Sequence, residues 1–247
     1  MLPGKLLFHP LSRVQNSAKN SRKPTVKDHR KTRAFWLCRF ISYLRERMAA
    51  MKHTNVKETL IDRAITVLGS AGMDKATTKA IVAGTGISEV YIYRHFASKE
   101  DLLAKAFEKL DDELVQKAML HVHVMYIPSM AYPDRCRFFF TAVWEFLLQN
   151  QTKCTAYIRY YHSQYFSKYS VEAHKDRFLP LVSKFQDAFQ EDANVWMLLN
   201  HILTTMLDHA MKVYDGQLPN NEDTAEHIFR VIYHAVSPYF KRAGRNI

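Results

Sequence analysis

The stretch TTKAIVAGTGISEVYIYRHF, residues 77–96, constrains the fold of this chain more than any other. It begins as an apolar helical repeat, and Gly84 and Gly86 then interrupt it. Thr77 reads as an N-cap for one short helix and Ser88 for the next, which carries Tyr91, Tyr93, Arg94, His95 and Phe96. Gly86 supplies the backbone freedom that a sharp turn needs. Ile81, Ile87, Ile92 and Phe96 fall where they pack the two helices together. A helix of seven or eight residues is marginal alone, since isolated helices shorter than about 12–15 residues barely form in water. Its worth lies in what it presents, and two short helices across a tight turn are helix-turn-helix logic, with the later helix shaped for a major groove.

The flanks extend the pattern. Asn55, with Glu58 three residues on, predicts a capped helix whose Ile61, Ala64, Ile65 and Leu68 share one face, closed by Gly72. Ser98 predicts the start of a long helix over 99–119, whose first turn holds Glu100 and Asp101 as the helix dipole prefers. The many charges further along it read as a solvated face. Beyond Pro128 and Pro133 the pattern predicts helices near 134–149, 152–166, 171–190, 194–214 and 222–236. With only 7 Gly and 8 Pro, and no alternating β-branched runs, the chain reads as all-α.

Ile61, Ala64, Leu68, Gly72, Thr77, Ile81, Gly86, Ile87, Ser88, Ile92, Tyr93, Phe96, Lys99, Glu100 and Leu102, in that spacing, resemble the DNA-binding domain of the tetracycline-repressor (TetR/AcrR) family. The resemblance covers about residues 55–103. It implies an N-terminal three-helix helix-turn-helix domain joined to a larger helical domain for effector binding and dimerisation. The corresponding division is a basic leader at 1–50, a DNA-binding domain at 51–118 and a ligand-binding and dimerisation domain at 119–247. Carried across by position, Thr77 and Thr78 would anchor phosphates, Ser88 would open the recognition helix, and Tyr91, Tyr93 and His95 would reach phosphates from it. Lys99 would add a contact at the start of the next helix. Glu89, Val90 and Arg94 stand where side chains meet base edges, Arg94 favouring guanine and Glu89 a cytosine amine. The chain departs from the family in Val90, where Gly is frequent, in Val82, where Ala is frequent, and in the negative charge of Glu89.

The net charge of +11 says less than it promises. Residues 1–50 hold 12 Lys/Arg against Asp28 and Glu46, while the rest is nearly balanced, 23 Lys/Arg against 22 Asp/Glu. The leader reads either as a basic arm that grips phosphates or as a misassigned start, with translation beginning at Met48 or Met51. Cys38, Cys136 and Cys154 are few and far apart, which argues for a reducing cytoplasm, and Cys136 and Cys154 read as ordinary half-buried thiols. No apolar run reaches the roughly 18–20 residues of a membrane span.

Downstream, Met125, Phe140, Trp144, Tyr157, Tyr161, His162 and Tyr165 are the candidate lining of an effector pocket, although each singly reads more readily as core. Arg159 is a candidate partner for an anionic ligand group or for Glu145. His121 and His123, two apart, do not share a helical face and read as solvated rather than metal-binding. Trp196, Leu199, Leu203, Met206 and Leu207, with Ile228, Ile232 and Val236, exceed what two helices need for their own core and predict a four-helix homodimer interface. No nucleophile elbow, zinc-protease signature, phosphate loop or dinucleotide fingerprint is present, so no catalytic residue, cofactor or metal is expected. The expected protein is a sequence-specific regulator, a repressor released by a small molecule, with double-stranded DNA bearing a pseudo-palindromic operator and a second copy of itself as partners. Two alternatives keep the DNA: a C-terminal domain that answers to a protein, and non-specific coating driven by residues 1–50.

Overall fold

The computed structural model describes residues 55–241, which all fall within one compact unit, 52–247. The leader at 1–50, including Cys38, lies outside the described residues. Helix α1 covers residues 55–71. Asn55, expected as the cap, is already helical there, and whatever precedes it falls outside the described residues. At the far end Gly72 takes φ 91° and its N–H bonds back to the carbonyls of Val67 and Leu68, the left-handed stop that the sequence predicts.

Helices α2 (Thr78–Val82) and α3 (Val90–His95) follow, and then the 23-residue α4 (Lys99–His121). Ser98 caps α4 through the Asp101 N–H, while Asp101 reaches back to the Ala97 N–H. A 3₁₀ turn at Val122–Tyr126 leads into α5 (Tyr132–Gln149). The helix expected at 152–166 is two: α6 (Gln151–Tyr161) ends at His162, and Ser163 caps a short α7 (Gln164–Tyr169) through the Phe166 N–H. The helix expected at 171–190 stops early, as α8 (Val171–Phe185), and tightens into a 3₁₀ turn at Gln186–Ala188. Helices α9 (Val195–Tyr214) and α10 (Glu222–Val236) keep their expected bounds almost to the residue. Among the described residues the sole β feature is an isolated bridge between Phe189 and Phe240.

α4 is the mast of the molecule. Its lower half packs Leu102 and Leu103 into the core, the Phe107 ring lies among Tyr157, Tyr160, Phe166 and His174 of the downstream helices, and Leu114 and Ala118 continue among them. The expected division at 118/119 therefore coincides with no break in the chain path, because α4 runs across it.

The charges of α4 are only partly solvated, and most are paired across helices. Lys109 pairs with Glu58 and Asp62 of α1, at 3.2 and 2.7 Å. Arg177 of α8 reaches Glu108 and Asp112, and Lys153 of α6 reaches Glu113. Asp111 is fully buried, accepting from the Tyr157 hydroxyl at 2.8 Å and lying 2.9 Å from His174 Nδ1. A buried carboxylate is tolerable only with such partners. α4 thus carries a polar seam that ties it to α1, α6 and α8.

Candidate nucleic-acid interface and effector cavity

Thr77 caps α2, its side chain accepting from the Ala80 N–H at 3.1 Å. Ile81 beneath it is wholly buried. The turn to α3 holds both Gly84 and Gly86 at positive φ, 74° and 71°. Thr85 staples the turn, its hydroxyl donating to the Val82 carbonyl and accepting from the Ile87 N–H. α3 opens one residue later than expected. Glu89 rather than Ser88 holds the cap position, without a side-chain cap bond. Ser88 contributes its carbonyl instead, which accepts from the Tyr91 N–H. Glu89 accepts a hydrogen bond from the Thr78 hydroxyl and so clasps the starts of α2 and α3 together.

Only Ile92 of the six α3 residues is buried, and Phe96 just beyond the helix joins it in the core. Val90, Tyr93 and Arg94 lie at i, i+3 and i+4 on the outward stripe, and both Val90 and Tyr93 are 60% exposed. The Arg94 guanidinium sits 4.8 Å from the centre of the Tyr91 ring. Thr77, Ser88 and Glu89 are exposed, while Thr78, His95 and Lys99 are half-buried around the same edge. All ten candidate DNA contacts thus lie on α2, its cap, the turn, α3 and the start of α4, and none is fully buried.

Residues 60–106 match the model of the bacterial tetR family of regulatory proteins. The helix-turn-helix domain is of the TetR family. Among curated proteins, the nucleoid occlusion factor SlmA of Escherichia coli O1:K1 / APEC is 32% identical over 69 residues, 28% of this chain. The chain matches about a third of that relative's length, 35%. Among solved structures, a TetR family transcription regulator from Marinobacter aquaeolei VT8 superposes with TM-score 0.61 at 13% identity, over 78% of this chain and all of the other. A second, described as a putative tetR family transcription regulator from Shewanella sp. PV-4, gives 0.58 at 14%, over 75% and 98%. The likeness in fold therefore runs well past the TetR domain into the downstream helices.

At the end of α1 two contacts join the TetR domain to α6. Arg159 of α6 donates to the carbonyls of Leu68 and Gly69 at the end of α1, each at 2.8 Å, so it meets neither Glu145 nor a pocket. Beside it, α6 approaches α1 so closely that a Cβ on Gly69 would lie 2.2 Å from the Thr152 carbonyl oxygen. The sequence reading missed Gly69, because a helical glycine carries no mark of what packs against it.

An apolar cavity of ≈ 100 Å³ lies among α4, α5, α8, α9 and α10. Met125 and Phe140 line it as expected. The structure does not bring the other five candidates to it. Trp144 stacks behind Phe140 in the core. Tyr157 is committed to Asp111, and Tyr161 donates to Asn200 at 3.0 Å. His162 is exposed and edge-on to Tyr161, and Tyr165 stacks on Tyr169. The phenols that make α6 an odd core helix each find a polar partner, including Tyr160 with Ser170 at 2.9 Å. Tyr132, Cys136 and Tyr233, none of them among the candidates for its lining, are the cavity's polar residues.

Proposed function

We propose that this protein is a homodimeric, sequence-specific transcriptional repressor that leaves its operator when a small molecule fills the cavity. The observation that carries the DNA reading is α3 itself: one buried residue, and a valine, a tyrosine and an arginine turned outward from a helix too short to need them. In this reading Val90 and Arg94 meet base edges, and Thr77, Tyr91, Tyr93, His95 and Lys99 hold phosphates. Thr78 and Glu89, already bonded to each other, fix the angle between the two helices, and Ser88 lets the backbone enter α3.

Dimerisation through α9 and α10 would set two recognition helices on a two-fold axis, matching an inverted repeat. Leu199, Leu203, Met206, Leu207, Ile228, Ile232 and Val236, expected at this interface, are instead buried in the chain's own core, and it is the outward Met197 and Val231, 54% and 60% exposed, that favour it. The switch is a population shift: ligand favours a spacing of recognition helices that no longer fits the operator. α4 is its carrier, with Leu114 and Ala118 on the cavity and Leu102 and Leu103 in the TetR domain.

A second reading, non-specific DNA coating, draws on the charge of residues 1–50 and on the name of the SlmA relative. Selection from random duplex DNA, with the full chain and with residues 51–247, separates the two. The repressor reading expects one enriched inverted repeat from both proteins. Absence of any motif, with steeply salt-dependent binding that vanishes on deletion of residues 1–50, would sink it.

A further inference from the structure

The lining of the cavity is chemically lopsided. Leu114, Phe178, Leu203 and Phe229 are typical of its walls, and no Lys, Arg, His, Asp or Glu contributes to it. The nearby cation that acts on Tyr132 and Cys136 is Arg135, whose guanidinium is committed to the carbonyls of Met130 and Met125, at 2.7 and 3.2 Å. An ionised ligand group would therefore lose its hydration without gaining a counter-charge.

The polar residues of the lining cluster at one end. Tyr132 and Cys136 stand one turn apart on α5, and Tyr233 of α10 acts on both. The Tyr132 hydroxyl is shut off from solvent with no hydrogen bond of ordinary geometry, and the polar group beside it is the Cys136 thiol, a weak partner. Burial keeps this phenol protonated far beyond its ordinary range, so it is a neutral donor awaiting an acceptor.

The space is also small, ≈ 100 Å³. It suits a slim molecule rather than fused rings.

We propose that the cavity binds an uncharged, slender aliphatic molecule with one acceptor oxygen at its end, held by a hydrogen bond from the Tyr132 hydroxyl. A medium-chain alcohol, aldehyde or ester has this chemistry. The proposal deepens the effector reading above, and its test is run without DNA so that the two can fail separately.

The full chain is titrated calorimetrically at pH 8 with 1-decanol, 1-chlorodecane and decanoate, as wild type and as Tyr132→Phe. The substitution keeps the ring that packs edge-on against Phe240, so the fold is retained. Decanol is expected to bind at least about tenfold more tightly than decanoate. Tyr132→Phe is expected to weaken decanol about three- to tenfold and to leave chlorodecane unchanged. Equal or tighter binding of decanoate, a decanol affinity unmoved by Tyr132→Phe, or no decanol binding up to its solubility would each overturn the site. Decanol binding that leaves operator affinity unchanged would instead overturn the effector reading while the site stands.

Discussion

Arg94 stands one turn after Val90 on α3, its guanidinium 4.8 Å from the Tyr91 ring centre. Stacking of this kind orients the planar fork that pairs with the acceptor edge of guanine. Arg94→Ala should therefore cost about 1–3 kcal/mol on the selected operator and relax preference at one base pair. Lys99→Ala should weaken all sequences alike and lower the salt slope by about one. Anisotropy titrations at several salt concentrations, on operator and scrambled duplexes, distinguish the two outcomes.

A second residue-scale effect concerns protons. Burial pushes the Cys136 thiol up to about 12 and the Cys154 thiol up to about 11, and the phenols of Tyr132, Tyr157 and Tyr214 also rise. Each group keeps its proton in the folded state where the unfolded chain releases it. The stability they contribute is whole below the ordinary thiol range, about 8.5, and is lost as pH climbs through 9 to 12. Urea denaturation at pH 7 and pH 10 should give a clearly lower midpoint at the higher pH. An unchanged midpoint would mean that these groups are wetter than the packing implies.

At the scale of elements, α1 and α6 come into close contact at Gly69. Gly69→Ala sets a methyl against the Thr152 carbonyl at 2.2 Å, too close for any rotation to relieve. The helices must part, at a cost of about 1–3 kcal/mol, and the Arg159 bonds to Leu68 and Gly69 go with them. Thermal unfolding should show a drop of several degrees, and an unshifted transition would refute the junction. Caps at Thr77 and Ser98 and the stop at Gly72 were legible because each acts on backbone within a few residues. Ser88 was off by one, since its rival Glu89 is held by Thr78, eleven residues away. The split of residues 152–166 at His162 was missed because the apolar pattern continues across it.

At the scale of the whole molecule, the proposed dimer should depend on the outward faces of α9 and α10. Val231→Glu places a charge on a face that is 60% exposed in the single chain. It should leave helicity and the melting of the isolated chain nearly intact, yet convert dimer to monomer in sedimentation equilibrium. Operator affinity should fall with it, because two half-sites would no longer be engaged by one body. A wild-type protein that sediments as a monomer at micromolar concentration would remove the basis of the two-fold model.

The sequence by itself determined the helical class, the broken helix of the TetR domain and the residues that domain presents. These depend on period, caps and glycine turns, which act over one or two turns of chain. Tertiary structure alone decided what the long-range polar groups do. Asp111, read as solvated, is buried because His174 and Tyr157 arrive from 63 and 46 residues away to satisfy it. Arg159, read as a ligand or Glu145 partner, closes the end of α1 some 90 residues back. The cavity passed over most of the aromatic candidates for the same reason. A phenol's place is set by which distant group meets its hydroxyl, and spacing along one helix carries no information about that.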